Sequence, residues 1–330
     1  TPVVRAAAPS GDDLRGDGRA IIGLDAAAPD DLHVIAAGLP AAGFALVVGS
    51  EPHGLSAPVR AAVERLAAIP MRGRMMHDRA GTLTFQPYSR GAARAINSVS
   101  RSGLNLLLLH AAAALPQVRL HFEHRLEDVD LDSGEAIFVD AEGRRVTAHG
   151  DLLVGADGAF SALRGRMQLN PGFDYSQSYL THAYKELTIP PAADGGFRLD
   201  EHSLHIWPRG GSMMIALPNP DRSFTCTLFW PVDGEHSFGA LPESADDAQI
   251  TAFFDREYGD AAAMMPTLLE DYRANPTSTL VTIRCSPWNW GDRIVLLGDA
   301  AHAIVPFYGQ GMNAAFEDCR ILDEMLEAAG

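Results

Sequence analysis

The sequence predicts an α/β protein in which an antiparallel β-sheet is inserted between stretches of alternating strands and helices. Two strand–turn–helix patterns bracket the inserted region, at residues 151–164 and at 294–317. Between them, residues 175–283 contain short runs of alternating apolar and polar residues, separated by turns rich in Pro, Gly and Asn. Such alternation indicates antiparallel strands with one buried face.

Composition narrows the class of protein. The chain has 330 residues, 47% of them apolar, and a net charge of −16. The charge argues against binding to nucleic acid or to an anionic membrane surface. No apolar run approaches the roughly 20 residues that span a bilayer, and the first residues lack the pattern of a signal peptide. The twelve histidines show no metal-binding spacing, so no metal site is expected. Three widely spaced cysteines predict buried thiols and a cytoplasmic location.

The elements follow in chain order. Residues 1–68 are rich in Ala; they predict strands at 20–23 and 44–49 and a helix at 57–68. A helix is predicted from about Ser102 to Leu115, with Ser100 or Ser102 as its N-cap, and alternation predicts a strand from Val118 to Phe122. In the inserted region, strands are predicted at 203–207, 213–217 and 224–229. Residues 246–274 are helix-like and acidic, which predicts a solvated face.

The stretch at 294–317 carries the strongest functional signal. A buried strand at 294–297 ends at Gly298 and Asp299, and a helix begins near Met312. Asp299 therefore lies at the carboxyl end of a strand, where open α/β sheets bind their ligands. Small residues around it allow a flat ligand to approach the backbone. The free N–H groups of the new helix favour negative charge.

The motif GDAAHAIVPFYGQGMN at residues 298–313 resembles the second FAD motif of the FAD-dependent aromatic hydroxylases, the class A flavoprotein monooxygenases. The resemblance runs from Ile69 to Cys319. It implies a doubly wound, Rossmann-like FAD-binding domain with an inserted antiparallel substrate domain, as in p-hydroxybenzoate hydroxylase-like flavoproteins. The FAD-binding domain would comprise residues 1–174 and 284–330, and the substrate domain residues 175–283.

The same resemblance implies the residues that contact FAD. DLLVGADGAFSALR at 151–164 resembles the family's DG motif, which lies near both FAD and the pyridine nucleotide. Arg101 at a predicted helix start is electrostatically awkward unless a phosphate lies nearby. The positions implied to contact the cofactor are Arg101, Leu126, Asp157, Asp299, Gly311, Met312 and Asn313.

The substrate site is implied by three further residues. Arg74 and Tyr88 match the family residues that hold a substrate carboxylate, a role that suits a planar guanidinium. Phe307 matches a substrate-contacting position. The implied reaction uses NADPH and O2 to hydroxylate L-kynurenine, an aromatic amino acid, to 3-hydroxykynurenine. The flavin would carry the chemistry, so no catalytic side chain is assigned. No separate NADPH site is visible, and the family also lacks one.

One motif of the family is not matched. A strand followed by GxGxxG should bind the FAD pyrophosphate near the start of the chain, but residues 49–54 read GSEPHG. Glu51 would bring bulk and like charge where glycine is needed. The sequence therefore predicts weak FAD binding. It leaves open a flavin-free or inactive relative, a fragment, or a hydroxylase of another aromatic acid.

Overall fold

The computed structural model describes residues 69–89 and 95–329. The strands are β1 (Ile69–Met71), β2 (Gly73–His77), β3 (Leu83–Pro87), β4 (Ile96–Ser98), β5 (Arg125–Val129), β6 (Ala136–Val139), β7 (Arg145–Ala148), β8 (Leu153–Gly155), β9 (Asp174–Ile189), β10 (Ser203–Pro208), β11 (Met213–Pro218), β12 (Phe224–Pro231), β13 (Ser278–Ser286), β14 (Asn289–Trp290) and β15 (Ile294–Leu296). The α-helices are α1 (Arg101–Ala113), α2 (Ala162–Met167), α3 (Asp247–Ala262), α4 (Leu268–Ala274), α5 (Asp299–His302) and α6 (Gly311–Ala329). The strands and helix predicted within residues 1–68, and the turn at 49–54, lie outside the described residues.

The described residues fall into two compact units, each built from separate stretches of chain. The first unit comprises Leu104–Ser178 and residues 281–329. The second comprises residues 69–89, 95–103 and Tyr179–Leu280. The second unit thus contains most of the segment predicted as the substrate domain. It also contains β2 and β3, which the sequence division assigned to the FAD-binding domain, because both strands pair into its sheet.

The second unit is organised on a seven-stranded sheet of order β13-β9-β12-β11-β10-β2-β3. The strand pairs from β9 through β12, β11 and β10 are antiparallel, as is the pair of β2 and β3. The contact between β10 and β2 is parallel. Three strands predicted from alternation are confirmed as β10, β11 and β12. One face of each is buried, as the alternating sequence requires.

Helix α3 contributes to the core of this sheet. Its acidic composition predicted a solvated helix, but a row of apolar residues at helical spacing packs into the same cluster as the strands. The buried residues of α3 are Ile250, Phe253, Phe254, Tyr258 and Ala261. Asp246 caps the helix in a capping box with Gln249. The acidic residues therefore form only its outer face.

The first unit contains two small sheets. Strands β15 and β8 run parallel, and β14 adds to β15 in antiparallel fashion. Strands β5, β6 and β7 form an antiparallel meander. Residues of both sheets and of α2 and α5 share one buried cluster: Leu126, Val129, Ala136, Phe138, Ala148, Leu153, Leu163, Met167, Ile294, Leu296, Ala300 and Ala301. The parallel pair delivers two strand ends and their following turns to one edge.

The strand predicted from Val118 to Phe122 is wrong. These residues have no regular structure, and the next strand begins only at Arg125. Val118 and Leu120 pack instead against Ala112 of α1. Alternation of apolar residues reports a buried side, and here the buried side faces a helix without any strand pairing.

Other expectations concern sites and compartments. Among the residues that the structure describes, no helix is both long and apolar enough to cross a membrane. Within the same residues, no cluster of three or more His, Cys, Asp or Glu side chains is arranged to hold a metal ion. Cys226, Cys285 and Cys319 are all free thiols.

Candidate functional site

The turn after β15 requires its glycine. Gly298 has a φ of 56°, a left-handed conformation, and a Cβ at this position would lie 3.1 Å from the Cβ of Ala315 in α6. The turn therefore packs directly against the helix. Asp299 follows as the first residue of α5 and is exposed, whereas Ala300 and Ala301 are buried. The carboxylate of Asp299 is thus presented to solvent at the end of the parallel strands.

Asp299 lies next to the first turn of α6. Its Oδ1 is 4.0 Å from the point that a Cβ at Gly311 would occupy. Gly311, Met312 and Asn313 form that first turn and are partly buried. The structure therefore brings together four of the residues implied to bind FAD. A carboxylate beside the N–H groups of a helix start offers both an acceptor for hydroxyls and donors for an electron-rich ring.

The turn after β8 supplies a second set of groups. The Oδ2 of Asp157 accepts a hydrogen bond from the Leu163 amide at 3.2 Å. Its Oδ1 is buried and has no hydrogen-bond partner in the described part of the chain. A buried carboxylate oxygen needs a donor, so this atom fits a hydroxyl of a bound cofactor. Ser161 caps α2 by accepting the Arg164 amide at 2.9 Å.

Arg164 joins the two turns. Its Nη2 donates to the carbonyl of Ala159 at 2.6 Å, and its Nη1 donates to the carbonyl of Ala300 at 2.7 Å. The ring of Tyr175 lies 5.1 Å from the guanidinium. Only 3% of Arg164 is exposed. A buried cation that bridges two backbone segments fixes their separation, and the sequence analysis did not identify this role.

His302, the last residue of α5, bonds to helix α6. Its Nε2 lies 2.6 Å from Oδ2 of Asp318 in α6, and the same oxygen accepts the Gly298 amide at 2.8 Å. Burial lowers the pKa of His302, but the hydrogen bond and charge of Asp318 outweigh burial and raise it overall. The ring of Trp288 lies 4.9 Å away.

The second unit holds the predicted carboxylate-binding pair. Arg74 lies on β2 and is exposed, and its guanidinium lies 5.5 Å from the ring centre of Tyr88. The Tyr88 hydroxyl is buried, and Arg74 is the described residue that acts on it, as a neighbouring hydrogen-bonding group and as a charge. Burial raises the pKa of Tyr88 above its ordinary value, and Arg74 offsets only part of the rise. Arg72 precedes β2 instead of lying on it, and it is also exposed.

Three further implied residues lie on other elements. Phe307 lies in the short 3₁₀ helix Pro306–Tyr308 and is 44% exposed. Leu126 lies within β5, with its side chain in the core. Arg101 is the first residue of α1, where Ser100 Oγ accepts the Gly103 amide at 3.1 Å and caps the helix. The roles assigned to all three remain predictions.

An α/β domain with this arrangement fits a flavin. Two turns follow a parallel strand pair, a buried oxygen of Asp157 lacks a donor among the described residues, and a helix starts beside Asp299. The chain belongs to the FAD binding domain family, whose model matches residues 34–329. Within that family it is similar to kynurenine 3-monooxygenases. It is 47% identical over 260 residues to that of Myxococcus xanthus (strain DK1622) and 49% identical over 251 residues to that of Dictyostelium discoideum. The resemblance to the flavoprotein aromatic hydroxylases and the flavin cofactor are thereby confirmed.

Coverage of these relatives is partial. The matches include 78% and 76% of this chain but 55% and 53% of the two relatives. The chain therefore spans about half the length of the curated relatives it matches. What the whole relatives do is accordingly a basis for proposal.

Solved structures confirm the predicted fold class. The tetrameric form of 2-methyl-3-hydroxypyridine-5-carboxylic acid oxygenase matches with a TM-score of 0.65 at 18% identity, covering 83% of this chain and 68% of that chain. PqsL, a probable FAD-dependent monooxygenase from Pseudomonas aeruginosa, matches with a TM-score of 0.62 at 22% identity, covering 82% and 71%. At these identities the likeness concerns the fold alone. The chain therefore has the FAD-binding α/β fold with an inserted antiparallel sheet.

Proposed function

We propose that this protein is an NADPH-using flavin monooxygenase that hydroxylates L-kynurenine to 3-hydroxykynurenine. Similarity to kynurenine 3-monooxygenases supports the substrate. The observation that carries the proposal is the pair of Arg74 and Tyr88. An exposed guanidinium lies over a phenol ring whose buried hydroxyl has no hydrogen-bond partner among the described residues other than Arg74 itself. Two donors of this kind fit one carboxylate of an amino acid.

Electrostatics favour a local cation at this position. The chain carries a net charge of −16 and therefore repels an anionic carboxylate at long range. Arg74 offers two parallel N–H donors, and the Tyr88 hydroxyl offers a third. Together they would fix the carboxylate in distance and in orientation, which a single point charge would not do.

The groups of the first unit serve the cofactor. When bound and reduced by NADPH, FAD would supply the activation of O2 from which one oxygen atom enters the aromatic ring and the other leaves as water. In the proposal, Asp299 and the buried oxygen of Asp157 accept hydrogen bonds from hydroxyls of FAD. The first turn of α6 stabilises negative charge on the flavin ring through N–H groups that are already oriented.

Substitution of Arg74 tests the substrate assignment. Arg74→Lys keeps the charge but loses the fork, so we expect weaker kynurenine binding and more hydrogen peroxide per NADPH oxidised, because the ring is misplaced. Arg74→Met should lose about 2 kcal/mol or more of binding, as for a hydrogen-bonded charged pair. Kynurenine affinity is measured by titration, and peroxide yield by NADPH consumption against product.

Arg72→Met is the matched control. Arg72 is exposed and lies two residues away, just before β2, so its loss removes the same charge without the stacked tyrosine. Kynurenine affinity should change little. If Arg74→Met binds kynurenine as tightly as the parent protein, the carboxylate assignment is wrong. A parent that binds FAD but not kynurenine would favour a hydroxylase of another aromatic acid, and a parent without FAD a flavin-free relative.

A further inference from the structure

Asp318 accepts two hydrogen bonds from the segment that contains the Gly298–Asp299 turn and helix α5. Its Oδ2 accepts the backbone N–H of Gly298 at 2.8 Å and the ring N–H of His302 at 2.6 Å. These two donors lie immediately before α5 and at its last residue. Asp318 and His302 are little exposed, with 11% and 18% of their side chains accessible. One carboxylate therefore fixes both ends of the four-residue helix that Asp299 begins.

Helix α6 carries the Asp318 carboxylate, and the first turn of the same helix lies next to Asp299. Asp318 lies in α6, about two turns after Gly311. The Oδ1 of Asp299 is 4.0 Å from the point a Cβ of Gly311 would occupy. The bonds of Asp318 thus tie α5 to α6 close to the place where Asp299 and the first turn of α6 meet. Arg164 and Cys285 also donate hydrogen bonds to α5, at the carbonyls of Ala300 and Ala301, but neither side chain belongs to α6.

We propose that Asp318 and His302 are positioning residues of the flavin site, which set the distance between the Asp299 carboxylate and the N-terminus of α6. They act on FAD only through this backbone, and the inference rests on the family's flavin site, not on the substrate. None of the family motifs named above assigns a positioning role to Asp318 or His302. The ring of Trp288 lies 4.9 Å from the His302 ring.

The ion pair between His302 and Asp318 should make the affinity for FAD depend on pH. The charged groups that face His302 are Asp318 from α6 and Asp299 from α5. Both are acidic, and together they raise the pKa of His302 in spite of burial. A group with a raised folded-state pKa contributes fully at low pH, and its contribution is lost as pH rises through that pKa. FAD affinity should therefore decline as pH rises through the raised pKa of His302.

Hydrogen exchange in the flavin-free protein tests whether the bonds of Asp318 to Gly298 and His302 restrain this segment. In Asp318→Asn, backbone amides of residues 298–303 should exchange faster than in the parent, because the acceptor of the Gly298 amide loses its charge. His302→Gln keeps a side-chain donor but cannot be protonated, so it should show a smaller increase. Glu327→Gln is the matched control, since it removes a carboxylate from an exposed position of the same helix. Unchanged exchange at 298–303 in Asp318→Asn would overturn the proposal.

FAD titration tests the consequence. Asp318→Asn should weaken FAD binding at pH 6.5 by roughly tenfold, the effect of one lost charge-assisted hydrogen bond. His302→Gln should bind FAD with an affinity that is flat between pH 6 and pH 9, while the parent and Glu327→Gln show the decline. A parent affinity without that decline, or a decline that persists in His302→Gln, would contradict the proposal even where Asp318→Asn fails to fold. Loss of kynurenine binding with intact FAD binding would count against the proposed substrate only.

Discussion

Asp299 combines exposure with a defined position, which makes its contribution separable from folding. Its side chain is exposed beside the first turn of α6, while the residues that follow it are buried. If it accepts a hydrogen bond from a hydroxyl of FAD, Asp299→Ala should weaken FAD binding by about 1.5–3 kcal/mol. Thermal unfolding of the flavin-free protein should change little, since an exposed side chain contributes little to packing. Fluorescence titration and thermal unfolding measure the two effects.

Asp292→Ala controls for loss of one negative charge. Asp292 lies in the turn before β15, and 95% of its side chain is exposed. Because it is far more open to solvent, its charge is screened and its loss should leave FAD affinity within the error of the titration. Equal affinity in Asp299→Ala and in the parent would remove Asp299 from the cofactor site.

Single residues differ in how far the sequence reveals them. Asp157 and Asp299 follow buried strands, so local pattern is enough to predict them at a ligand-binding edge. The roles of Arg164 and Asp318 depend on partners that the chain brings together only on folding. Arg164 bonds to a carbonyl 136 residues away, and no local periodicity encodes such a pairing. The Arg at the end of DGAFSALR was visible as part of the motif, but its acceptors were not.

At the scale of elements, a buried histidine pair links two strands and a helix of the second unit. His77 of β2 and His205 of β10 share a hydrogen bond of 2.9 Å between Nε2 and Nδ1. His77 also bonds through Nδ1 to Asp260 of α3 at 2.9 Å, and Trp207 donates to the same carboxylate at 2.8 Å. Both histidines are 2% exposed. The pair therefore ties β2, which carries Arg74, to its neighbours.

This pair makes the second unit sensitive to acid. Burial lowers the pKa of both His77 and His205 below the ordinary value of 6.5, and other contacts only partly offset it for each. The groups that face the pair are Asp260 and Arg209 at His77 and Asp200 at His205. The unfolded chain therefore binds protons at a higher pH than the folded one, and stability is lost as pH falls below 6.5.

We expect the free energy of unfolding, measured by urea titration, to fall by about 1–2 kcal/mol between pH 7.5 and pH 5.5, from one or two protons taken up on unfolding. The double variant His77→Gln with His205→Gln should lose less over this range, whatever its stability at pH 7.5. His149→Gln is the control, since its ring is half exposed at the surface of the first unit. If the double variant and the parent lose equal stability on acidification, the pair is not the cause.

The elements themselves were predictable where burial alternates within a paired strand. Strands β10, β11 and β12 followed directly from that pattern, and so did β8 and β15 from their apolar runs. The pattern misled at Val118–Phe122, because a segment that packs one side against a helix shows the same alternation. The alternation pattern also did not indicate which strands pair with each other. Nothing in the local sequence of β2 indicates that it lies parallel to β10, about 130 residues later.

At the scale of the whole molecule, each unit draws on distant stretches of chain. The first unit is interrupted by residues 179–280, and the second also uses residues 69–89 and 95–103. A division by sequence position placed Arg74 and Tyr88 in the FAD-binding part, whereas the contacts of β2 and β3 group them with the large sheet. Composition and periodicity detect elements, but the grouping of elements into units depends on long-range pairing. It therefore needed the structure.

The two halves of the proposed cofactor site differ in how many binding groups the sequence provides. We expect this difference to lower the affinity for FAD. The groups proposed to bind the flavin end lie around Asp299 and the start of α6. The sequence lacks a GxGxxG turn for the pyrophosphate, with Glu51 in the second glycine position of its nearest match. A net charge of −16 also repels the two phosphates. We therefore expect flavin absorbance to be lost on gel filtration.

A comparison of FAD with FMN locates the weakness. If the adenosine half gains little from the protein, apoprotein should bind FAD and FMN with affinities within about tenfold of each other, a difference below roughly 1.4 kcal/mol. Raising the ionic strength should tighten both, because salt screens the long-range repulsion. Asp299→Ala should weaken both ligands equally, since the hydroxyls it would bind are common to FAD and FMN. FAD retained at one per chain, or bound a hundredfold more tightly than FMN, would contradict this and assign residues 1–68 a nucleotide site without the expected glycines.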